Sequence, residues 1–400
     1  MQRTGDQYLV KEINTSIVLD TIIRNQPISR ARISELTGLN KGTVSNLVQA
    51  LIDRKLVFET GTGASSGGRK PVMLRLRSAA GYAVGVDLGV NSLLIVATDL
   101  SGRIVSERTE TLPSRDAADV TGRIVTAVNG LIADLPESVY GVVGIGVGVP
   151  GMVDEAGTVL LAPNLGWKGY DLGEVLQREF NTCPVYIDNE ANAGAVGEKQ
   201  FGAGQGAAGL IYVSAAIGIG AGVVLGGELY RGKSGLAGEA GHMSIDAAGP
   251  RCSCGGRGCW EIYASERALL GRAKAFTDRE GGPTLESLVA LARRGNREAA
   301  AAFRETGHYL GIGIANLINL FNPEMVVVGN RMTAAEPWIR GSLLEAVRER
   351  ALPFQQERCA VLFSRLGAHS TALGAAYTAV SSFIRNAAVR FEQERASSPI

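Results

Sequence analysis

Three of the five cysteines and one of the three histidines in this 400-residue chain fall between positions 242 and 259. In ligand order they are His242, Cys252, Cys254 and Cys259, set in Gly238-Glu239-Ala240-Gly241-His242 and Cys252-Ser253-Cys254-Gly255-Gly256-Arg257-Gly258-Cys259-Trp260-Glu261. Three thiolates and one imidazole suit tetrahedral zinc, and a closed set of four suits a structural ion rather than a catalytic one. Glycines at 255, 256 and 258 let the backbone fold tightly enough to turn the sulfurs inward. The competing reading is buried thiols or a disulfide. Nothing at the N-terminus resembles a signal peptide, so a reducing cytoplasm is expected and disulfides are disfavoured. Two carboxylates, Glu239 and Glu261, bracket the cluster.

Glu-x-Gly-His followed by Cys-x-Cys-Gly-x-x-Gly-Cys-x-Glu resembles the zinc motif of the ROK family (repressors, open reading frames and sugar kinases). That resemblance implies that Glu239, His242 and Glu261 also hold sugar hydroxyls. The chemistry agrees, since carboxylates suit vicinal hydroxyls and a metal-bound imidazole can aim its other nitrogen at a ligand.

Charge divides the chain. Residues 1–78 carry twelve Lys/Arg against six Asp/Glu, whereas the remaining residues carry 28 against 33. A net of +6 on the first segment and −5 on the rest points to a polyanion partner for the N-terminal piece alone. No apolar run reaches membrane-spanning length without polar or glycine breaks, which argues against a membrane protein.

The basic segment reads as a winged helix-turn-helix over 1–78. Tyr8 to Arg24 carries apolar residues at Leu9, Ile13 and Ile17, with Val10, Val18 and Ile22 beside them, a helical stripe. Ser29 caps a short second helix, Gly38 supplies the turn, and Asn40 caps a third helix from Lys41. Val44, Leu47, Val48 and Leu51 mark its inner face. Two strands follow, Leu56–Glu59 and Val72–Leu76, joined by a long Gly/Ser loop ending in Gly-Gly-Arg69-Lys70-Pro. The first turn of a recognition helix reaches base edges, so Thr43, Ser45 and Asn46 are candidate base contacts and Lys41 a phosphate contact. Arg69 and Lys70 at the wing tip would grip phosphate or enter a groove. The order of these elements also resembles the DNA-binding domain of ROK repressors.

From Tyr82 the chain turns glycine-rich and strand-like. Tyr82–Leu88 and Leu93–Leu100 read as a hairpin, and Leu210–Leu225 repeats the pattern, so a duplicated α/β body in two lobes is expected. The family resemblance implies an actin-like, ribonuclease-H-like body with sugar in the cleft. The expected division is lobe 1 over 79–188, completed by a C-terminal helix 371–385, lobe 2 over 189–370 with the zinc motif, and a polar tail over 386–400. Val149-Pro150-Gly151-Met152-Val153-Asp154 and Pro163-Asn164-Leu165-Gly166-Trp167 resemble the family's two sugar loops. The resemblance thereby adds Gly151 and Asn164 to the sugar-binding set, and Asn189 and Glu190 follow from its Asn-Asp-x-Asn motif. Trp167 reads as a packing residue.

The nucleotide side departs from the kinases of the family. Their Asp-x-Gly-Gly-Thr-Lys stands here as Asp87-Leu88-Gly89-Val90-Asn91-Ser92, and their Gly-Thr-Gly-x-Gly-x-Gly as Ala216-Ile217-Gly218-Ile219-Gly220-Ala221-Gly222. Phosphate cradles need backbone N–H groups brought close by glycine plus a hydroxyl or ammonium, and Val90 and Ile217 supply neither. The kinases' general base becomes Glu190 in Asn189-Glu190-Ala191-Asn192, a carboxyl moved by one methylene. The resemblance therefore implies no enzyme. It implies a sugar-responsive repressor of carbohydrate genes, nearest the xylose-responsive branch, a homodimer or homotetramer released from a palindromic operator when sugar binds. The alternative is an ATP-dependent sugar kinase with a regulatory DNA-binding domain.

Overall fold

The computed structural model describes residues 7–62, 70–277 and 282–387. The basic head comprises α1 (Gln7–Asn25), β1 (Ile28–Ser29), α2 (Arg30–Thr37), α3 (Lys41–Asp53), β2 (Val57–Thr62) and β3 (Val72–Leu76). Ser29 Oγ accepts the Arg32 N–H, and Asn40 Oδ1 accepts the Thr43 N–H at 2.7 Å, so both helix starts are capped as their sequences demand. Gly38, at φ +71°, turns the chain between them. The three strands pair antiparallel in the order β1-β3-β2 behind the helices.

The face of α1 differs from the sequence expectation. Val18, Leu19 and Ile22 are buried, whereas Val10, Ile13 and Ile17 are 52%, 49% and 41% exposed. The reason is that the face carrying Val18, Leu19 and Ile22 packs on α2, α3 and β3 of the head and on the last helix of the chain, which leaves the other face to solvent.

Lobe 1 contains β4 (Tyr82–Leu88), β5 (Ser92–Asp99), β6 (Ile104–Thr111), α4 (Ala117–Ala133), β7 (Val142–Val149), β8 (Met152–Val153), β9 (Val159–Ala162), β10 (Trp167–Tyr170), α5 (Leu172–Glu179) and β11 (Val185–Asn189), after which α6 (Glu190–Phe201) leaves the sheet. Lobe 2 contains β12 (Leu210–Ala215), β13 (Ile219–Leu225), β14 (Glu228–Leu229), α7 (Glu261–Ala264), α8 (Glu266–Ala273), α9 (Leu285–Arg293), α10 (Arg297–Phe321), β15 (Met325–Gly329), α11 (Glu336–Arg350), α12 (Pro353–Gln356) and β16 (Ala360–Phe363). The chain closes on α13 (His369–Ala387).

The duplication is visible in the sheets. Their orders are β6-β5-β4-β7-β11 and β14-β13-β12-β15-β16. In each, three strands meander antiparallel and two more add in parallel on the other side of the first. β6 was not foreseen, because its side chains alternate half-buried and exposed along an edge and carry little apolar signal.

Helices α6 and α13 pack on one another where the lobes meet. That approach, and the seating of α13 on the lobe 1 sheet, depend on missing side chains. A Cβ on Gly85 would lie 1.9 Å from the Ala372 carbonyl, one on Gly146 2.1 Å from that of Ala375, and one on Gly197 2.0 Å from that of Ser370. Further along α13, Ala376, Ala379 and Val380 share a core with Val18, Leu19 and Ile22 of α1. Tyr140 Oη also donates to the Arg54 carbonyl at 2.8 Å, fastening the head to lobe 1. The polar tail from 388 onward lies outside the described residues.

Candidate functional site

The metal-type cluster is assembled by the loop between β14 and α7. Ile245 and Trp260 pair across it with Gly258 and Met243, and bridges Ser244–Cys259 and Arg251–Arg257 narrow it into a knuckle. Gly258 sits at φ +62°, and a Cβ there would lie 1.7 Å from the Asp246 carbonyl, so no other residue fits without moving the loop. The fully buried Trp260 anchors the knuckle, its Nε1 donating to the Tyr309 carbonyl of α10 at 2.7 Å.

The ligand atoms of His242, Cys252, Cys254 and Cys259 all lie within 4.8 Å of one another. Cys254 Sγ and Cys259 Sγ are 3.7 Å apart, and Cys252 Sγ is 3.7 Å from His242 Nδ1. A tetrahedral ion with 2.3 Å bonds to sulfur sets an S···S edge of about 3.8 Å, so this donor set fits zinc. Nδ1 of His242 faces the sulfurs, and its Nε2 lies 4.0 Å from Glu239 Oε2 on the other side.

Beyond the imidazole, the candidate sugar residues converge from both lobes. A Cβ on Gly218, in the β12–β13 turn, would strike Glu261 Oε2 at 2.5 Å and Asn164 Nδ2 at 3.2 Å. One on Gly220 would lie 3.2 Å from Glu190 Oε1. Glu261 Oε2 also accepts the Ile219 N–H at 3.1 Å. Asn189 caps α6, its Oδ1 accepting from the Ala191 and Asn192 N–H groups, while Nδ2 donates to the Gly151 carbonyl at 2.9 Å. Its amide thus retains one N–H for a ligand. Gly151 has no space for a side chain, since a Cβ would lie 2.6 Å from the Leu161 carbonyl. Trp167 is buried and donates to the Arg115 carbonyl at 2.7 Å, which makes it a packing residue.

Glu190 is half-buried, with Oε2 sealed from solvent and without a hydrogen-bond partner. Burial pushes its carboxyl up to about 8, with the Asp87 and Glu239 carboxylates adding to the shift. Burial alone lifts Asp87 to about 7. Both groups therefore retain protons in the folded state that an unfolded chain releases near pH 4. The unfavourable contribution is absent below that pH, grows as pH rises through the window, and is complete above about 8. The melting temperature of the unliganded protein should accordingly fall between pH 5 and 8, and less steeply in Glu190→Gln. An identical slope in that variant, followed by calorimetry, would remove Glu190 as a source.

Three arginines in and around the cleft were not legible in the sequence. Arg267 of α8 donates to Asn164 Oδ1 across the cleft. Arg231 of lobe 2 forms a bidentate pair with Asp188 of lobe 1 at 2.6 and 3.1 Å. Both are interlobe ties. Arg331 engages the Glu266 carboxylate at 2.9 and 3.1 Å, and Glu286 at 2.9 Å. Glu266 is 2% exposed, and its N–H donates to the Ala216 carbonyl in the turn that resembles a degraded phosphate loop. Ala216 N–H is itself consumed within the turn by the Gly218 carbonyl. Next to Arg331, Asn330 occupies φ +65°, ψ −159°, a glycine conformation, and its Nδ2 donates to Ser214 Oγ at 3.1 Å. Asn330 and Arg331 also line a cavity of about 610 Å³ with Glu286, Val289 and Thr333, so the turn is altered while the space beside it stays open.

On the head, Lys41, Ser45 and Asn46 are exposed on α3, and Thr43 is half-buried. Lys70 is exposed where the chain re-enters the wing, while Arg69 lies outside the described residues.

The ROK family profile matches residues 83–381, and a MarR family profile matches 13–65. The chain is 42% identical to the xylose repressor of Bacillus spizizenii over 95% of this chain and 98% of that one. It is 30% identical to the N-acetylglucosamine repressor of Escherichia coli O157:H7 over 93% of each. A ROK family transcriptional regulator described as a homolog of E. coli MLC superposes with a TM-score of 0.79 at 30% identity, covering 95% of this chain and 99% of that one. A ROK family glucokinase from Streptomyces griseus, solved with glucose and AMPPNP, gives 0.68 at 32% identity but covers only 74% of this chain, against 98% of its own. Repressor relatives thus share head and body, and the kinase shares less. The winged head and the repressor relatives that share both head and body mark a regulator rather than an enzyme, and the chain belongs to the ROK family.

Proposed function

We infer that this protein is a sugar-responsive transcriptional repressor whose cleft takes a sugar of the xylose type and whose winged head holds operator DNA. The observation that carries this reading is the continuity of α13. At its start, Thr371 Oγ1 donates to the Glu190 carbonyl at 3.1 Å and Ser370 Oγ donates to the buried Glu198 carboxylate at 2.7 Å. Two turns later the same helix enters the core of the head. A change in how the lobes meet is thereby passed to the recognition helix by one rigid element.

In this reading Glu239, Glu261, His242, Asn164, Asn189, Glu190 and the Gly151 loop bind sugar hydroxyls. Zinc in the His242–Cys252–Cys254–Cys259 cluster is structural: it fixes the imidazole and the two flanking carboxylates. Sugar competes with the Arg267–Asn164 tie, so occupancy favours a different lobe arrangement and lowers operator affinity by linkage. A two-fold dimer would read palindromic half-sites. Lys41 and Lys70, with Arg69, supply phosphate contacts, and Thr43, Ser45 and Asn46 face the bases.

A mobility-shift titration tests this. The full chain should bind a palindromic operator with steep salt dependence, and xylose should release it. Lys41→Ala should reduce the salt slope by about one and weaken all sequences alike, whereas Asn46→Ala should cost about 1–3 kcal/mol on the operator only. A chain that shifts no palindromic site at low salt, or whose complex ignores every pentose and hexose, defeats the reading.

A further inference from the structure

We propose that Tyr140 is the residue through which occupancy of the cleft reaches the recognition helix α3. The inference rests on the repressor reading above and concerns how that same cleft is coupled to the head.

The end of α3 is not closed from within the head. The last carbonyls of a helix have no partner in the helix itself. Arg54 ends α3, Lys55 follows at φ +60°, and the Lys55 and Leu56 N–H groups return to the Ile52 and Leu51 carbonyls. The Arg54 carbonyl instead accepts the hydroxyl of Tyr140, a side chain of lobe 1, at 2.8 Å. A helix whose first turn is offered to DNA thus takes its C-terminal cap from the sugar-binding body. Helix α13, by contrast, packs in the head chiefly on α1.

Tyr140 touches both elements that run between cleft and head. Its N–H donates to the Ala80 carbonyl at 2.8 Å, and its ring meets that of Phe383, on α13, edge to face at 5.1 Å. Two residues on, β7 begins, and it ends at Val149, two residues before Gly151 in the cleft. Glycines at alternate positions of β7 face α13 along its length. A Cβ on Gly148 would lie 2.4 Å from the Thr371 side chain, one on Gly146 2.1 Å from the Ala375 carbonyl, and one on Gly144 3.0 Å from the Ala379 methyl. Two strand residues advance about 6.6 Å and four helix residues about 6.0 Å, so these contacts stay in step. Strand and helix therefore form one bar, with Gly151 beside its cleft end and the Tyr140–Phe383 ring pair at its head end. A shift of the Gly151 loop arrives at the Arg54 carbonyl as a displaced hydroxyl.

The test compares Tyr140→Phe, which deletes only that hydroxyl, with Tyr186→Phe, which deletes a hydroxyl bond from lobe 1 that ends on Ser382 of α13 rather than on α3. Operator affinity of the full chain is titrated by mobility shift without and with saturating D-xylose, and D-xylose affinity by calorimetry without and with operator. Coupling between two sites typically amounts to about 5–150-fold and must be the same read from either ligand. Tyr140→Phe should bind D-xylose as the wild type does in the absence of DNA. The ratio of its operator affinities without and with the sugar should fall at least fivefold, and the effect of operator on D-xylose affinity should fall by the same factor. Tyr186→Phe should keep both. A tie that merely holds the head in place would lower the melting temperature and the sugar-free operator affinity and leave the ratio alone. That result overturns the proposal, as does a Tyr186→Phe that loses the ratio equally. If Tyr140→Phe does not fold, Phe383→Leu, which leaves the hydroxyl and removes the ring it packs on, should lower the ratio and overturns the proposal if it does not. A wild type whose operator complex ignores D-xylose and every other pentose and hexose overturns the repressor reading itself, and the proposal with it.

Discussion

Cys259→Ser is expected to empty the metal centre, to lower the melting temperature of the body by about 10 °C or more, and to abolish release of DNA by sugar. The size of the effect follows from where Cys259 stands. Its sulfur is 3.7 Å from that of Cys254, and the next residue is Trp260, whose buried indole pins the loop to α10. Glu261, one residue further, places Oε2 in the cleft on the Ile219 N–H. Loss of a zinc ion held there would free three of four ligands together, because no strand or helix pairs the segment between Ser244 and Cys259 apart from two isolated bridges. Metal content, thermal melting and sugar-dependent operator release check the three parts separately. Stoichiometric zinc in the variant, or zinc-free wild type with an undiminished sugar response, would show that the cluster holds nothing the cleft requires.

Gly146→Val should be nearly as damaging, for a reason that has nothing to do with metal. A Cβ at this position lies 2.1 Å from the Ala375 carbonyl and 2.5 Å from its carbon, both backbone atoms of α13. Backbone cannot rotate aside, so α13 must lift from the lobe 1 sheet. Overpacking of this kind costs about 3 kcal/mol or more. Because Ala376, Ala379 and Val380 continue from the same stretch into the head core, the head loses its seat as well. The expected outcome is a melting temperature lower by roughly 10 °C and weaker operator binding that no longer responds to sugar. Gly122→Val, on the exposed side of α4 with nothing near its Cβ, is the control and should leave stability unchanged or slightly raised, because valine is a better helix former than glycine. Unchanged sugar response in a folded Gly146→Val would mean that the signal does not travel through α13.

Much of this was readable from residue order. The caps at Ser29 and Asn40, the buried positions of α3 and the first hairpin of each lobe follow from local rules, and they stand where those rules put them. The stripe on α1 went the other way. Periodicity identifies a helix but not which of two apolar faces meets a neighbour, and here α13 and the wing claimed Val18, Leu19 and Ile22. Edge strand β6 alternates with solvent and leaves little apolar signal, while β14 and β16, of two and four residues, are too short for periodicity to mark.

The cleft divides in the same manner. Ligand identity and spacing in the His-Cys cluster are properties of one short stretch, and so is the replacement of phosphate-loop glycines and hydroxyls by Val90 and Ile217. These the sequence by itself determined, because donor atoms, side-chain length and the absence of a Cβ belong to a residue wherever it folds. Only the tertiary structure decided that Arg267 crosses to Asn164, that Arg331 pairs with the buried Glu266 beside the altered phosphate turn, and that α13 joins cleft to head. Those contacts link residues tens to hundreds of positions apart, and no local periodicity encodes which distant partner a buried charge or a glycine face will meet.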